Sequence, residues 1–186
     1  MKKYFLSLAL LGAIQVKAKT KDLWVYFDLG NTVINVKDKN NFDYFSGSKT
    51  YISRLKSLGY KIGVISNIPE SFGQTHLEKL ETLKNYISSK WSGSESFDWE
   101  VFDKIYLPLS NSELKPAPVL YKRAIVENQL KKAVFISETE KEVIAAQELG
   151  FAGHVFDDQS HQLYIPIEEL EEYIELNSQI GDISIL

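Results

Sequence analysis

Apolar residues fall into short unbroken runs, separated by stretches in which they recur every three or four positions. Leu23 to Phe27 is such a run, the pattern of a strand buried on both faces. The stretch from Asn35 to Ser48 is polar and turn-rich. Tyr51, Ile52, Leu55 and Leu58 then recur at helical spacing, and Gly59 is a natural stop. Lys61 to Ile65 predicts a second strand that ends at Ser66-Asn67, with Pro69 marking the turn out of it. Leu77, Leu80, Leu83, Tyr86 and Ile87 predict an amphipathic helix over 75–89.

Ile105-Tyr106-Leu107 predicts a third strand. Lys115-Pro116-Ala117-Pro118 opens a helix through Val119, Tyr121, Ala124 and Ile125, with prolines suited to its first turn. Ala133 to Ile136 predicts a fourth strand, Glu140 to Leu149 a helix stopped by Gly150, and His154-Val155-Phe156 a fifth strand. Pro166 begins a last helix with Ile167, Leu170, Tyr173 and Ile174 on one face. Strands alternating with helices at this spacing predict an α/β fold. The expected architecture is a Rossmann-like three-layer sandwich with a parallel central sheet.

A chain of 186 residues suits one domain with a sizeable core. Its first eighteen residues stand apart: Lys2-Lys3, then a mostly apolar stretch from Tyr4 to Ile14, then Val16-Lys17-Ala18 with small residues at −3 and −1. That is the plan of a secretory signal peptide cleaved after Ala18, which leaves 19–186 as a single domain. The apolar stretch is about 11 residues, well short of the ~20 that span a bilayer. Removing Lys2, Lys3 and Lys17 moves the formal charge from −4 to −7. An acidic balance gives no electrostatic footprint for nucleic acid. With no cysteine there is no disulfide, thiolate metal site or lipid-anchoring cysteine. The expectation is an exported protein, periplasmic or secreted, without a membrane anchor.

The candidate chemistry sits at strand ends. Val25-Tyr26-Phe27-Asp28-Leu29-Gly30-Asn31-Thr32 delivers a carboxylate to the sheet's carboxyl edge, where open α/β sheets place their ligands. Ser66, after the second strand, offers a hydroxyl that can hold a phosphoryl oxygen. Lys115 can keep a nearby carboxylate ionised and neutralise phosphoryl charge. Glu138, in Ser137-Glu138-Thr139-Glu140-Lys141-Glu142, is an acid just past a strand and can ligate Mg²⁺. Each has a plainer reading: a serine satisfying its own loop, a solvated lysine, acids complementing a helix dipole. That last reading is strong for Glu140 and Glu142, weaker for Glu138. His76, His154 and His161 form no ligand spacing.

The order Asp28, Ser66, Lys115, Glu138 on four successive strand ends resembles the haloacid dehalogenase-like (HAD) phosphohydrolase superfamily, from about Leu23 to Phe156. Asp-Leu-Gly-Asn, the Lys-Pro segment after Ile-Tyr-Leu, and Ala145-Ala146-Gln147-Glu148-Leu149-Gly150 are similar to its small sugar-phosphate phosphatase branch. The resemblance implies that Asp28 attacks phosphorus to form an aspartyl-phosphate, that Ser66 binds the phosphoryl group, and that Lys115 orders both. It implies Mg²⁺ between Asp28, the Gly30 carbonyl and Glu138, with Asn31 and Asn67 beside Ser66 in substrate binding.

Three departures qualify what is implied. Most HAD phosphatases carry a second Asp two residues after the nucleophile, which protonates the leaving group; here that position is Gly30. A general acid is worth about 10²–10⁴ in rate, so an undemanding leaving group is expected. The fourth motif offers Ser137-Glu138 in place of an Asp pair or Gly-Asp. Only 38 positions run from Asp28 to Ser66, so the cap is minimal or absent. The 70–100 segment could supply a modest lid through Phe72, Trp91, Phe97 and Trp99, although packing against the sheet is the preferred reading for these rings. An open site suits a macromolecular phosphorylated substrate, or a protein partner that completes the pocket. The alternatives are a catalytically degenerate HAD-like binding protein and, more distantly, a dehalogenase-type enzyme.

Overall fold

In the computed structural model, which describes residues 21–160 and 163–181, strand β1 (Trp24–Phe27) is the centre of the sheet. After it come the two-residue strands β2 (Ile34–Asn35) and β3 (Asp43–Tyr44), helix α1 (Ser48–Ser57) and strand β4 (Lys61–Ile65). Helix α2 (His76–Lys90), strand β5 (Lys104–Tyr106) and helix α3 (Val119–Asn128) follow. The chain then forms β6 (Ala133–Ser137), α4 (Glu140–Gln147), β7 (Ala152–Val155) and α5 (Ile167–Asn177). The leader expected over 1–18 lies outside the described residues, as does His161.

The main sheet is five-stranded, in the order β5-β4-β1-β6-β7, and every pair is parallel. Alternation along β1 sends Val25 and Phe27 into one apolar cluster, and Trp24 and Tyr26 into the other. The first cluster is closed by Ile52 and Leu55 of α1, Leu83 and Ile87 of α2, and Leu170 and Ile174 of α5. The second is closed by Tyr121 and Ala124 of α3 and by Val143 and Ala146 of α4. Helices therefore cover both faces, and the expected three-layer α/β sandwich is the fold observed.

One glycine shows how tightly the second face packs. A Cβ on Gly63 in β4 would lie 2.3 Å from Cε1 of Tyr26, so the Tyr26 ring sits directly over the β4 backbone. Asn128 at the end of α3 donates to the hydroxyls of both Tyr26 and Tyr106, at 3.0 and 2.6 Å.

The elements differ from expectation in a few places. The 35–48 stretch is not merely turns: β2 and β3 pair antiparallel, and Phe42 and Phe45 reach the core. Isolated apolar residues among polar ones hid that hairpin. The fifth strand begins earlier, at Ala152, because it must pair with β6 from Val134 onward. On α2, Leu77 and Tyr86 are exposed, and Leu83 and Ile87 carry the buried face. Between Asp28 and Ser66 the chain has room only for the small hairpin, α1 and β4, so no separate cap is built there.

Candidate active site

Because β4, β1 and β6 are neighbours, their carboxyl ends bring together residues far apart in sequence. Phe27 lies level with Val64 and with Ile136, so Asp28, Ser66 and Ser137 emerge at the same edge. The backbone N–H of Asp28 continues the ladder by donating to the Ile136 carbonyl at 2.8 Å.

Lys115 comes to this edge from the loop before α3. Its ammonium is fully buried, 2.7 Å from Asp28 Oδ1 and 2.6 Å from Glu142 Oε2. It also lies 5.1 Å from the centre of the Phe135 ring. A buried cation is stable only when paired and hydrogen-bonded, and here two carboxylates supply that. Its main chain is held as firmly. The Asn67 amide accepts from the Lys115 N–H at 2.7 Å and donates to the Lys115 carbonyl at 3.0 Å. The same amide donates to Glu142 Oε1 at 3.2 Å. Asn67 thus sits with Lys115 and Glu142 as part of the frame.

Glu142 was expected to complement the helix dipole. It sits in the first turn of α4 and is buried, and besides Lys115 it accepts from Ser137 Oγ at 3.1 Å. Burial pushes its carboxyl above the ordinary value, against the pull of Lys115. The dipole reading is therefore incomplete, and the cause is the loop that brings Lys115 across. Thr139-x-x-Glu142 reads as a capping box, so a signal was present, but it pointed to a local role.

Glu138 is fixed by Thr32, a second residue the sequence did not single out. Thr32 Oγ1 donates to Glu138 Oε2 at 2.9 Å and accepts from the Glu138 N–H at 3.2 Å. Thr32 is itself tied down, with its carbonyl accepting from the Tyr164 hydroxyl at 2.5 Å. Burial, reinforced by the negative charge of Asp28, pushes the Glu138 carboxyl above its ordinary value. The charge of Asp28 makes ionisation of Glu138 costlier, a cost that a cation between the two would relieve.

The remaining candidates occupy the rim. Ser66 is buried, its N–H donates to the Tyr106 carbonyl at 3.1 Å, and it lines a pocket together with Gly30 and Asn67. Asn31 takes a left-handed backbone, φ 52°, and its side-chain oxygen accepts from the Val36 N–H at 3.3 Å. A Cβ on Gly30 would meet only Val36 Cγ2, at 3.5 Å. Of the four aromatic lid candidates, Trp91, Phe97 and Trp99 pack on one another and on the core. Only Phe72 lines the pocket beside Ser66.

The donor set can be tested for magnesium. Asp28 and Glu138 could offer two oxygen ligands at one edge, and the chain has no cysteine to offer a thiolate. Among the described residues no group of three or more His, Cys, Asp or Glu side chains could hold a metal ion by itself. A magnesium ion at such an edge would need one or two carboxylates, with water and phosphate completing its shell. Asp28 and Glu142 both pair with the single ammonium of Lys115, and Glu138 adds a third carboxyl that feels the charge of Asp28.

This five-stranded parallel sheet flanked by helices is similar in fold to solved structures of HAD-superfamily hydrolases. A HAD-superfamily hydrolase from Ehrlichia chaffeensis is similar with a TM-score of 0.56 and 13% identity, over 85% of this chain and 98% of that one. A HAD family enzyme from Bacteroides thetaiotaomicron, in complex with magnesium and inorganic phosphate, is similar with a TM-score of 0.54 and 13% identity, over 79% and 97%. The D,D-heptose 1,7-bisphosphate phosphatase of B. bronchiseptica, complexed with magnesium and phosphate, gives 0.51 and 14%, over 71% and 79%. No protein-family model and no curated protein sequence matches the chain. The likeness is one of fold.

Proposed function

We propose that this protein is a magnesium-dependent phosphohydrolase in which Asp28 forms an aspartyl-phosphate. One observation carries the reading: Asp28 is pinned through Oδ1 to a buried lysine. That lysine is locked in turn by Glu142 and by the Asn67 amide. Oδ2 accepts no hydrogen bond among the described residues, so it is the oxygen left for attack.

An Asp28 oxygen bonds to phosphorus as the bond to the leaving oxygen breaks. The electron pair departs on that oxygen, which takes its proton from solvent, since Gly30 offers none. A water oxygen then bonds to phosphorus, the Asp28 bond breaks, and inorganic phosphate leaves with the carboxylate restored. Lys115 orients Asp28, and the Ser66 hydroxyl holds a phosphoryl oxygen. Magnesium would be held by Asp28, Glu138 and the Gly30 carbonyl, and would supply neutralisation of the phosphoryl charge. Export rests on the leader pattern of residues 1–18 alone.

Phosphate release from acetyl phosphate and 4-nitrophenyl phosphate, with magnesium and with EDTA, tests the reading. Release should need the metal, and Asp28→Asn should lower it about 10³-fold or more. Release that survives Asp28→Asn would refute the mechanism. No release from either compound would favour a binding protein that uses the same edge.

A further inference from the structure

Gly30, Ser66 and Asn67 also line a pocket of about 450 Å³, within the size range of small-molecule sites. Away from those three residues and Lys39 its wall is apolar, formed chiefly by Phe42, Ile68, Phe72, Leu83, Tyr86 and Ile87. The rings are set at angles. Tyr86 lies 5.8 Å from Phe42 at 68° and 5.6 Å from Phe72 at 59°, as edge-on aromatic contacts prefer. Among the described residues the lining contains no carboxylate and no histidine, and Lys39 is its single cation.

Two consequences converge. A sugar or glycerol moiety brought against this wall would lose water from hydroxyls that find few partners, whereas a flat apolar ring would lose nothing polar. With no acid in the lining, the leaving oxygen must depart as an anion. A phenol, of pKa ~10, tolerates that far better than an alcohol, whose hydroxyl is as weak an acid as water. Pocket wall and missing proton donor select the same chemistry.

Resting on the phosphohydrolase reading above, we propose that this pocket holds the leaving group and that the substrate is an aryl phosphate monoester. The ring lies among Phe72, Leu83 and Tyr86 with its phosphate toward Ser66 and Asp28. Attack by Asp28 breaks the phosphorus–oxygen bond, the pair leaves on the phenolate oxygen, and solvent protonates it. A free aryl phosphate and a phosphotyrosine side chain present the same group.

The test is kcat/KM, with magnesium, for phenyl phosphate, 2-naphthyl phosphate and a phosphotyrosine peptide against glucose 6-phosphate and glycerol phosphate, with acetyl phosphate as a ringless control. Aryl esters should exceed the sugar and glycerol esters by about 100-fold. Tyr86→Ala, at an exposed position, should lower the naphthyl-to-acetyl ratio about tenfold, through KM rather than kcat. A peptide that outperforms phenyl phosphate assigns a protein source, and no gain over phenyl phosphate assigns a free small molecule. Sugar or glycerol esters turned over as well as aryl esters would overturn this inference and leave the phosphohydrolase standing. No turnover of any compound, acetyl phosphate included, would overturn both.

Discussion

Helices α2 and α4 start with the same four-residue signature, Thr75-x-x-Glu78 and Thr139-x-x-Glu142, and use it in opposite ways. At α2 the box closes on itself. Thr75 Oγ1 accepts from the Glu78 N–H at 3.2 Å, and Glu78 Oε2 accepts from the N–H groups of Gln74 and Thr75 at 2.7 and 3.1 Å. At α4 neither arm closes. The Thr139 side chain caps nothing, and Ser137 Oγ accepts the Thr139 N–H at 3.2 Å instead. Glu142 is drawn inward to Lys115. The difference lies in surroundings: α2 begins in solvent, α4 at a strand end facing a buried ammonium. A cation without water outbids a backbone N–H for a carboxylate, since charge-assisted bonds are roughly twice as strong as neutral ones. A local motif therefore signals a local structure only where nothing charged is buried beside it.

The contrast can be broken hardest at the glutamates. Glu142→Gln leaves Lys115 short of one counter-charge and should cost about 3 kcal/mol, read as a lower urea midpoint. It should also reduce phosphate release together with Asp28 function. Glu78→Gln, on the exposed helix start, should leave release unchanged. Equal losses of activity in the two variants would mean that Glu142 is only a cap.

The threonines give a smaller effect with the order reversed. Thr75→Ala removes a working cap and should cost about 1 kcal/mol, whereas Thr139→Ala removes none and should cost clearly less in the same urea titration. A larger loss at Thr139 would show that α4 depends on a cap absent from this structure.

The smallest effect is a difference in sign with pH. Backbone hydrogen bonds from Gln74 and Thr75 hold Glu78 below its ordinary value. The unfolded chain then binds more protons over that interval, and stability rises with pH. Burial holds Glu142 above its ordinary value, the folded chain binds more protons, and stability falls as pH rises above the ordinary glutamate range. Replacing each glutamate by glutamine should therefore tilt the acid limb of the stability–pH curve in opposite directions.

Periodicity found the five sheet strands and the five helices because the sheet is buried on both faces and its helices are long enough to show a stripe. The β2–β3 hairpin escaped it. Two-residue strands have no period, and Phe42 and Phe45 stand among charges. Within the site, Asp28, Ser66, Lys115 and Glu138 each end or follow a strand, and order alone could suggest them. Glu142 and Thr32 could not be found that way. Their roles depend on side chains 27 and 106 positions away, Lys115 and Glu138 respectively. Asn67 was visible as a strand-end residue, but its hold on the Lys115 backbone needed the loop to be in place.

The position of β1 has a consequence for how the chain is made. Among the described residues the central strand comes first in sequence, and its two neighbours arrive late, β4 at Lys61 and β6 at Ala133. Until both have been synthesised, Leu23 to Phe27 offers two bare edges on a segment with no charge of its own, the composition most prone to intermolecular pairing. Asp22 precedes the segment and Asp28 follows it, so charge flanks it at both ends, as gatekeepers do. The carboxylate at the centre of the site thus also protects the nascent strand from its own copies.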